Sequence, residues 1–486
     1  MTPVRRSGDD DPGLALRLWL ELAGQRERLA TLEQQLSRMK SSRSWRITAP
    51  LREAFARLPG ATQPARPRLA RCGDSSGGKP APAGLPFDAL AALLDSGDAG
   101  RRLFVDVTEL ALEDLGAGVQ RVTRRLLSEL LLAPPAGYHV QPVRLHAESG
   151  YCVANEFLAS FLGLGRLQLG ADAPVASRAG DCFVGLDFCR DRAGELAPAL
   201  EALRGGGARI ALLVHDALPL SHPEWFPGWV GANYESWLRV LSSQADVAIC
   251  VSAHTAGELA RALSERSLPA PPSGLPVVAL GSDLPPLPEN RAELPPRVPG
   301  VGRVLTVGTI EPRKGHAQAL DAFDALWSEG VDIEWMIIGR PGWHVDGVLR
   351  RLEEHCEAGK RLHWLDAADD AVLSAAYRAS DVLLAPSRGE GFGLPVVEAG
   401  RLGLKLVLRE LAVFREVAGD AAVYFSGEAP QAIMQALKDA RSHPGASQGR
   451  WESWAEAASS LAECATATAG ESPAGNRPFG GHGRSV

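Results

Sequence analysis

Between residues 300 and 430, short apolar runs take turns with amphipathic stretches, and this alternation restricts the fold more than any other feature. The runs at 304–307, 333–338, 362–365, 382–385, 404–408 and 422–425 have strand length. They are mainly apolar, as in strands covered on both faces. Helical stretches such as 316–327 and 370–379 lie between them. A strand, a helix and a further strand in series predict a parallel, doubly wound sheet. From about 100 to 290 the same rhythm recurs less regularly. A strand is expected at 102–107, followed by a glycine loop, the amphipathic helix 119–132 and further buried strands at 208–214 and 247–251. Two such halves predict an α/β protein of two Rossmann-like domains facing a cleft.

The remainder divides by composition. In 14–40, Leu18, Leu22, Gln25, Leu29, Leu32, Leu36 and Met39 alternate spacings of four and three. This fits a short coiled coil or partner helix, and equally an amphipathic helix packed on its own protein. In 41–58, Arg43, Arg46, Arg52 and Arg57 sit among Trp45, Ile47, Leu51, Phe55 and Leu58. Such a mixture can lie on a membrane surface or touch the protein body. Six prolines with Gly, Ser and Ala fill 59–86, a linker that can bury no core. The expected divisions are a helical, coiled-coil and basic amphipathic extension at 1–58, the linker at 59–86, an N-terminal domain at 87–295, a C-terminal domain at 296–440, a C-terminal helix at 441–468 and a disordered tail at 469–486.

Composition removes some classes. The net charge of -7 argues against nucleic acid as the main partner. Seven cysteines without a CxxC pair read as reduced thiols. No apolar stretch reaches the 18 or more residues a membrane span needs, and 1–13 carries charge without an apolar core behind it. The expectation is a cytoplasmic protein that can lie peripherally on the inner membrane. The histidines are dispersed and no DxD element follows a strand, so no metal ligands are expected.

The chemistry concentrates in 387–399, SRGEGFGLPVVEA, which follows one apolar run and opens a helix. Glu390 stands in the loop, and Glu398 lies eight positions on, within the first turns of the helix. Gly391 and Gly393 let the backbone approach a ligand, and the helix N-terminus offers a positive dipole to an anion. Upstream, 304–316 reads VLTVGTIEPRKGH, a strand ending in Gly308 and Thr309 and followed by Arg313 and Lys314. In the first half, Gly116 and Gly118 form a GxG loop, and His215 follows an apolar strand where open α/β sheets place ligand-binding groups. Ser252 reads as a helix N-cap.

These segments, with IIG at 337–339 and VFREVAG at 413–419, resemble the E-x7-E signature and its surroundings in glycosyltransferase family 4. That resemblance implies the GT-B fold, with the N-terminal helical extension added to it, and sugar transfer with retention of anomeric configuration and without a metal. It implies that Glu398 holds the nucleotide ribose and that Glu390 contacts the donor sugar near its anomeric carbon. The N–H groups of Phe392, Gly393 and Leu394 would meet sugar hydroxyls or the distal phosphate. Lys314 and Arg313 would neutralise the leaving diphosphate. Gly391, Gly308, Thr309, Gly116 and Gly118 would line the donor site, and His215 would stand near the donor sugar and the incoming hydroxyl. Many family members carry Arg in the place of Thr309. The stretch 106–125 resembles bacterial mannosyl- and rhamnosyltransferases of surface polysaccharide (lipopolysaccharide) synthesis.

The implied reaction moves a hexose, mannose or a deoxyhexose, from a nucleotide diphosphate sugar such as GDP-mannose to a lipid-linked saccharide. No other cofactor is implied. Two alternatives are a GT-B scaffold that binds nucleotide sugar and partner transferases without turnover, and a sugar-nucleotide epimerase.

Overall fold

Each apolar run above becomes a strand, with ends shifted by two residues at most. A computed structural model describes residues 100–112, 114, 116, 118–162, 172–188, 191–284, 294–366, 368–440, 442 and 451–467. The segments expected at 1–58, 59–86 and 469–486 lie outside the described residues. The chain divides into two units, and all described residues outside 155–162 belong to the first. The second is described only around the helix Asn155–Phe161, where Phe157 and Phe161 stack at 5.5 Å. The first holds both sheets.

The first sheet comprises β1 (Arg101–Asp106), β2 (Tyr138–His146), β3 (Gly150–Val153), β4 (Cys182–Gly185), β5 (Arg209–Val214) and β6 (Val247–Cys250), in the order β3-β2-β1-β4-β5-β6. The second comprises β7 (Gly302–Val307), β8 (Ile333–Ile338), β9 (Leu362–Leu365), β10 (Val382–Ala385), β11 (Lys405–Arg409) and β12 (Ala422–Phe425), in the order β12-β11-β10-β7-β8-β9. Both follow the Rossmann order, in which chain direction across the sheet reverses beside the first strand: at β1/β4 in one and β7/β10 in the other.

One strand departs from the parallel expectation. β3 runs antiparallel to β2, with His146 opposite Gly150 and Val143 opposite Val153. Three residues join them, too few for a crossover, so the chain can only turn back.

Packing explains the polar residues inside the strands. Every residue of β8 is buried, Glu334 included. Its carboxylate accepts from Arg303 Nε at 2.6 Å and from the Val298 N–H at 2.8 Å. Arg303 also donates to the Pro295 and Pro296 carbonyls, at 3.2 and 3.1 Å, tying the segment before β7 to the sheet. Trp335 of β8 stacks on Phe323 at 4.6 Å in the second core. The first core gathers Phe183, Leu212, Val214, Trp237 and Leu241.

The helix Trp454–Thr466 returns to the first sheet. Ser453 and Glu456 form a capping box at its start. Arg209 Nε and Cys182 Sγ both donate to the Ala465 carbonyl, at 3.0 and 3.3 Å. Gly281 lies so close to Trp454 that a Cβ there would stand 2.5 Å from it. No helix among the described residues is long and apolar enough to cross a membrane.

Candidate functional site

The second sheet splays its carboxyl ends between β7 and β10, and both carry the expected residues. After β7 the chain turns through the 3-10 segment Pro312–Lys314, and Gly315 adopts φ 73°. A Cβ on Gly315 would stand 2.2 Å from the Pro386 carbonyl oxygen, so a side chain there would force the two loops apart. After β10 the loop 386–393 leads into the helix Leu394–Arg401. Gly393 starts that helix at φ 100°, a conformation natural to glycine.

These two loops bring opposite charges together. Lys314 Nζ donates to Glu390 Oε1 at 2.5 Å, and Arg313 Nη1 reaches Oε2 at 3.3 Å. Arg313 also donates to Glu311 at 2.9 Å and to the Gly389 carbonyl at 3.1 Å. Burial alone would raise the Glu390 pKa, but Lys314 and Arg313 outweigh it, with help from Ser387, and push it down to about 2. Burial likewise opposes the Arg313 charge, and Glu311, Glu390 and Asp216 hold the guanidinium protonated. A cavity of about 10 Å³, one water molecule in scale, lies here. Lys314, Glu390, His316, Ser387 and Gly393 are among the residues that line it.

Glu398 takes a different position. It is fully buried on its helix. Its Oε1 accepts from Arg121 Nη2 at 2.5 Å and its Oε2 from the Tyr377 hydroxyl at 2.7 Å. Arg121 lies on the helix Gly118–Leu132 beside the first sheet, and its Nε stands 3.5 Å from Asp370. Burial works against the Arg121 charge, and Glu398 and Asp370 overcome it. Burial and the Glu398 carboxylate both raise the Tyr377 pKa, so the phenol remains a donor.

The carboxyl edge of the first sheet closes on the same loop. His215 follows β5, and a Cβ on Gly391 would stand only 1.7 Å from the His215 carbonyl oxygen. His215 Nε2 lies 2.8 Å from the Leu186 carbonyl, which can only accept, so Nε2 carries the proton. Burial lowers the His215 pKa, which leaves a neutral ring with its lone pair on Nδ1. Asp216 does not orient that ring; its Oδ1 accepts the Leu218 N–H at 3.1 Å. Ser252 caps its helix, accepting from the Thr255 N–H at 3.0 Å, and it also donates to the Gly391 carbonyl at 2.6 Å. Glu416 accepts the Ala253 and His254 N–H groups at 2.6 and 2.9 Å. Gly389 faces Trp225, whose carbonyl accepts from Trp343 Nε1 at 2.7 Å.

The structure thus gathers Lys314, Arg313, Glu390 and Gly393, and sets Gly391 against His215. Phe392 is buried and Leu394 half-buried in the same turn. A Cβ on Gly308 would stand 3.6 Å from Lys314 Cε, a Cβ on Gly339 would come within 1.9 Å of the Gly308 carbonyl oxygen, and Thr309 follows, half-buried. Gly116 and Gly118, the latter opening the helix Gly118–Leu132, are both exposed, and a Cβ on either would meet nothing within 4 Å. Arg121, Tyr377, Ser252, Glu416 and His316 were not among the residues expected in the site. Arg121 and Glu416 belong to segments that carried the resemblance, but their partners are too distant in sequence to be read locally.

Comparison with known proteins matches residues 296–458 to the family described as Glycosyl transferases group 1. The serotype-specific mannosyltransferase WbdA of Escherichia coli is 37% identical over 377 residues, 74% of this chain and 46% of that protein. The O-antigen chain mannosyltransferase B of Escherichia coli is 29% identical over 241 residues, 48% of this chain and 62% of that protein. A phosphatidyl-myo-inositol mannosyltransferase of Mycolicibacterium smegmatis is 37% identical over 152 residues, 29% of this chain and 38% of that protein. The chain therefore spans under half the length of WbdA.

Proposed function

We propose that the chain, whose residues 296–458 match the family described as Glycosyl transferases group 1, is a retaining mannosyltransferase of surface polysaccharide synthesis, drawing on a nucleotide diphosphate sugar. The observation that carries this reading is the Lys314–Glu390–Arg313 cluster at the β7/β10 switch point, where open α/β sheets bind ligands. In transfer, the bond from the sugar's anomeric carbon to the diphosphate breaks, and a bond to an acceptor hydroxyl oxygen forms. The acceptor hydroxyl's proton passes to the oxygen of the departing diphosphate. Negative charge builds on the departing diphosphate, and fixed cations stabilise it. Lys314 and Arg313 supply those cations. Glu390, ionised throughout the neutral range, meets the sugar hydroxyls near the anomeric carbon. The N–H groups at Phe392, Gly393 and Leu394 serve the distal phosphate or sugar, with Gly391, Gly308 and Thr309 giving the backbone room. Glu398 holds the ribose. His215, neutral with a free lone pair on Nδ1, orients the acceptor.

The donor is GDP-mannose in this reading, because the relatives at 37% identity are mannosyltransferases by name. The acceptor is a lipid-linked saccharide. Residues 41–58 bring the enzyme to the inner membrane face, which loss of sedimentation with anionic liposomes on deleting 1–85 would support.

The deciding experiment incubates the purified chain with radiolabelled GDP-mannose, UDP-glucose or a deoxyhexose donor and a mannose-terminated lipid-linked saccharide. Transfer from GDP-mannose supports the proposal. Nucleotide-sugar binding without turnover on any acceptor replaces it with the scaffold reading. A ligand at a hundredfold excess over Kd stabilises the fold by about 2.7 kcal/mol, so binding is readable by thermal shift.

A further inference from the structure

His316 opens the helix His316–Ser328, directly after Lys314 and Gly315. Its side chain is 2% exposed, and neither ring nitrogen has a hydrogen-bond partner. Buried polar groups in folded proteins are nearly always paired, and one left unpaired costs about 1–3 kcal/mol. An apolar residue would fill the same space without that cost. His316 is also among the residues that line the cavity, with Lys314, Glu390 and Ser387. Gly315 is pressed against the Pro386 carbonyl, which fixes where the helix begins relative to the loop after β10.

Charge narrows the role. Burial first, and Lys314 second, push the His316 pKa down to about 3, so the ring is neutral. A neutral imidazole always carries one N–H. Beside Lys314 it offers a donor without adding a further cation to a site that holds Lys314 and Arg313. The start of a 13-residue helix favours negative charge at the same point. A donor group, a cation and a helix N-terminus facing one cavity are complementary to a phosphate oxygen.

We propose that His316 is a donor-binding residue whose neutral imidazole hydrogen-bonds the distal phosphate of a nucleoside diphosphate seated against Lys314. This rests on the glycosyltransferase reading and adds a residue to it. The ring fills its unmet hydrogen bond only when the diphosphate is present, so its contribution appears in binding.

The test is calorimetric titration of the full chain with GDP and GMP, on wild type, His316→Phe, His316→Asn and Glu398→Gln. Loss of one hydrogen bond to a charged group should raise the GDP Kd about tenfold or more in His316→Phe. The GMP Kd should move less than about twofold, and His316→Asn, which keeps an N–H, should recover most of the GDP affinity. A GDP Kd in a folded His316→Phe within about twofold of wild type overturns the proposal, as does an equal loss for GMP. If wild type binds neither nucleotide, the glycosyltransferase reading falls and His316 with it. If GDP binding falls in Glu398→Gln but not in His316→Phe, that reading stands and only the role of His316 is rejected.

Discussion

Arg121 and Glu398 meet at 2.5 Å although 277 positions separate them in sequence. Glu398 is fully buried, and Arg121 and the Tyr377 hydroxyl supply its hydrogen-bond partners. Removing one member of a buried pair strands the other, at a cost of about 3–5 kcal/mol. Arg121→Ala should therefore lower stability by roughly that amount, read from urea unfolding. Glu398→Gln should in addition raise the donor Kd. An Arg121→Ala protein with an unchanged midpoint would show the pair to be energetically idle.

Lys314 neutralises Glu390 in this structure and the leaving diphosphate in the proposed reaction. Lys314→Ala should reduce kcat by about 100-fold or more. It should also raise the Glu390 pKa from about 2, because burial then acts with less opposition. Turnover within threefold of wild type would exclude a catalytic cation at this position.

His215 donates to the Leu186 carbonyl through Nε2. His215→Ala leaves that carbonyl unpaired, a loss of about 1–3 kcal/mol. If the free Nδ1 orients an acceptor, transfer should fall far more than this loss explains at a temperature where the variant stays folded. A melting temperature that drops while residual turnover stays normal would identify a purely structural histidine.

Gly391 packs against the His215 backbone, which leaves no room for a methyl group. Gly391→Ala should force the loop 386–393 away from His215 and strain the Ser252 and Thr255 hydrogen bonds to the Gly391 carbonyl. The expected result is a lower melting temperature together with at least a tenfold loss of transfer. Wild-type values for both would mean that the contact is easily relaxed.

The neutral His316 gives the fold a pH dependence of known sign. Its folded pKa, about 3, lies below the value of about 6.5 expected when unfolded. Between those values the unfolded chain binds a proton that the folded chain does not, so stability falls as pH drops from about 6.5 towards 3. His316→Phe should flatten the unfolding free energy between pH 7 and 5 relative to wild type. Parallel profiles for the two proteins would contradict a buried neutral ring.

The second sheet was readable because its strands are short, apolar and bounded by loops carrying their own chemistry, as at 382–399. Lys314 and Glu390 could be named from local motifs. β2 escaped notice because Pro142 and its polar residues break the apolar run. Arg121–Glu398, Ser252–Gly391 and the Glu416 cap are contacts between distant segments. No local spacing encodes them. His316 read simply as the first residue of a helix, because an unmet hydrogen bond becomes visible only once the surroundings of the ring are known.

The return of the helix Trp454–Thr466 to the first sheet has a consequence for biosynthesis. Strands β4 and β5 lean on the Ala465 carbonyl through Cys182 and Arg209, so the N-terminal sheet cannot finish assembling while the ribosome is still translating the second. Domains of many multidomain proteins fold in turn as they emerge. Here the earlier-made half must wait, partly uncovered, for just over two hundred further residues after β6. Nascent chains stalled before Trp454 should expose that surface to chaperones, and chains carrying Thr466 clear of the exit tunnel should not.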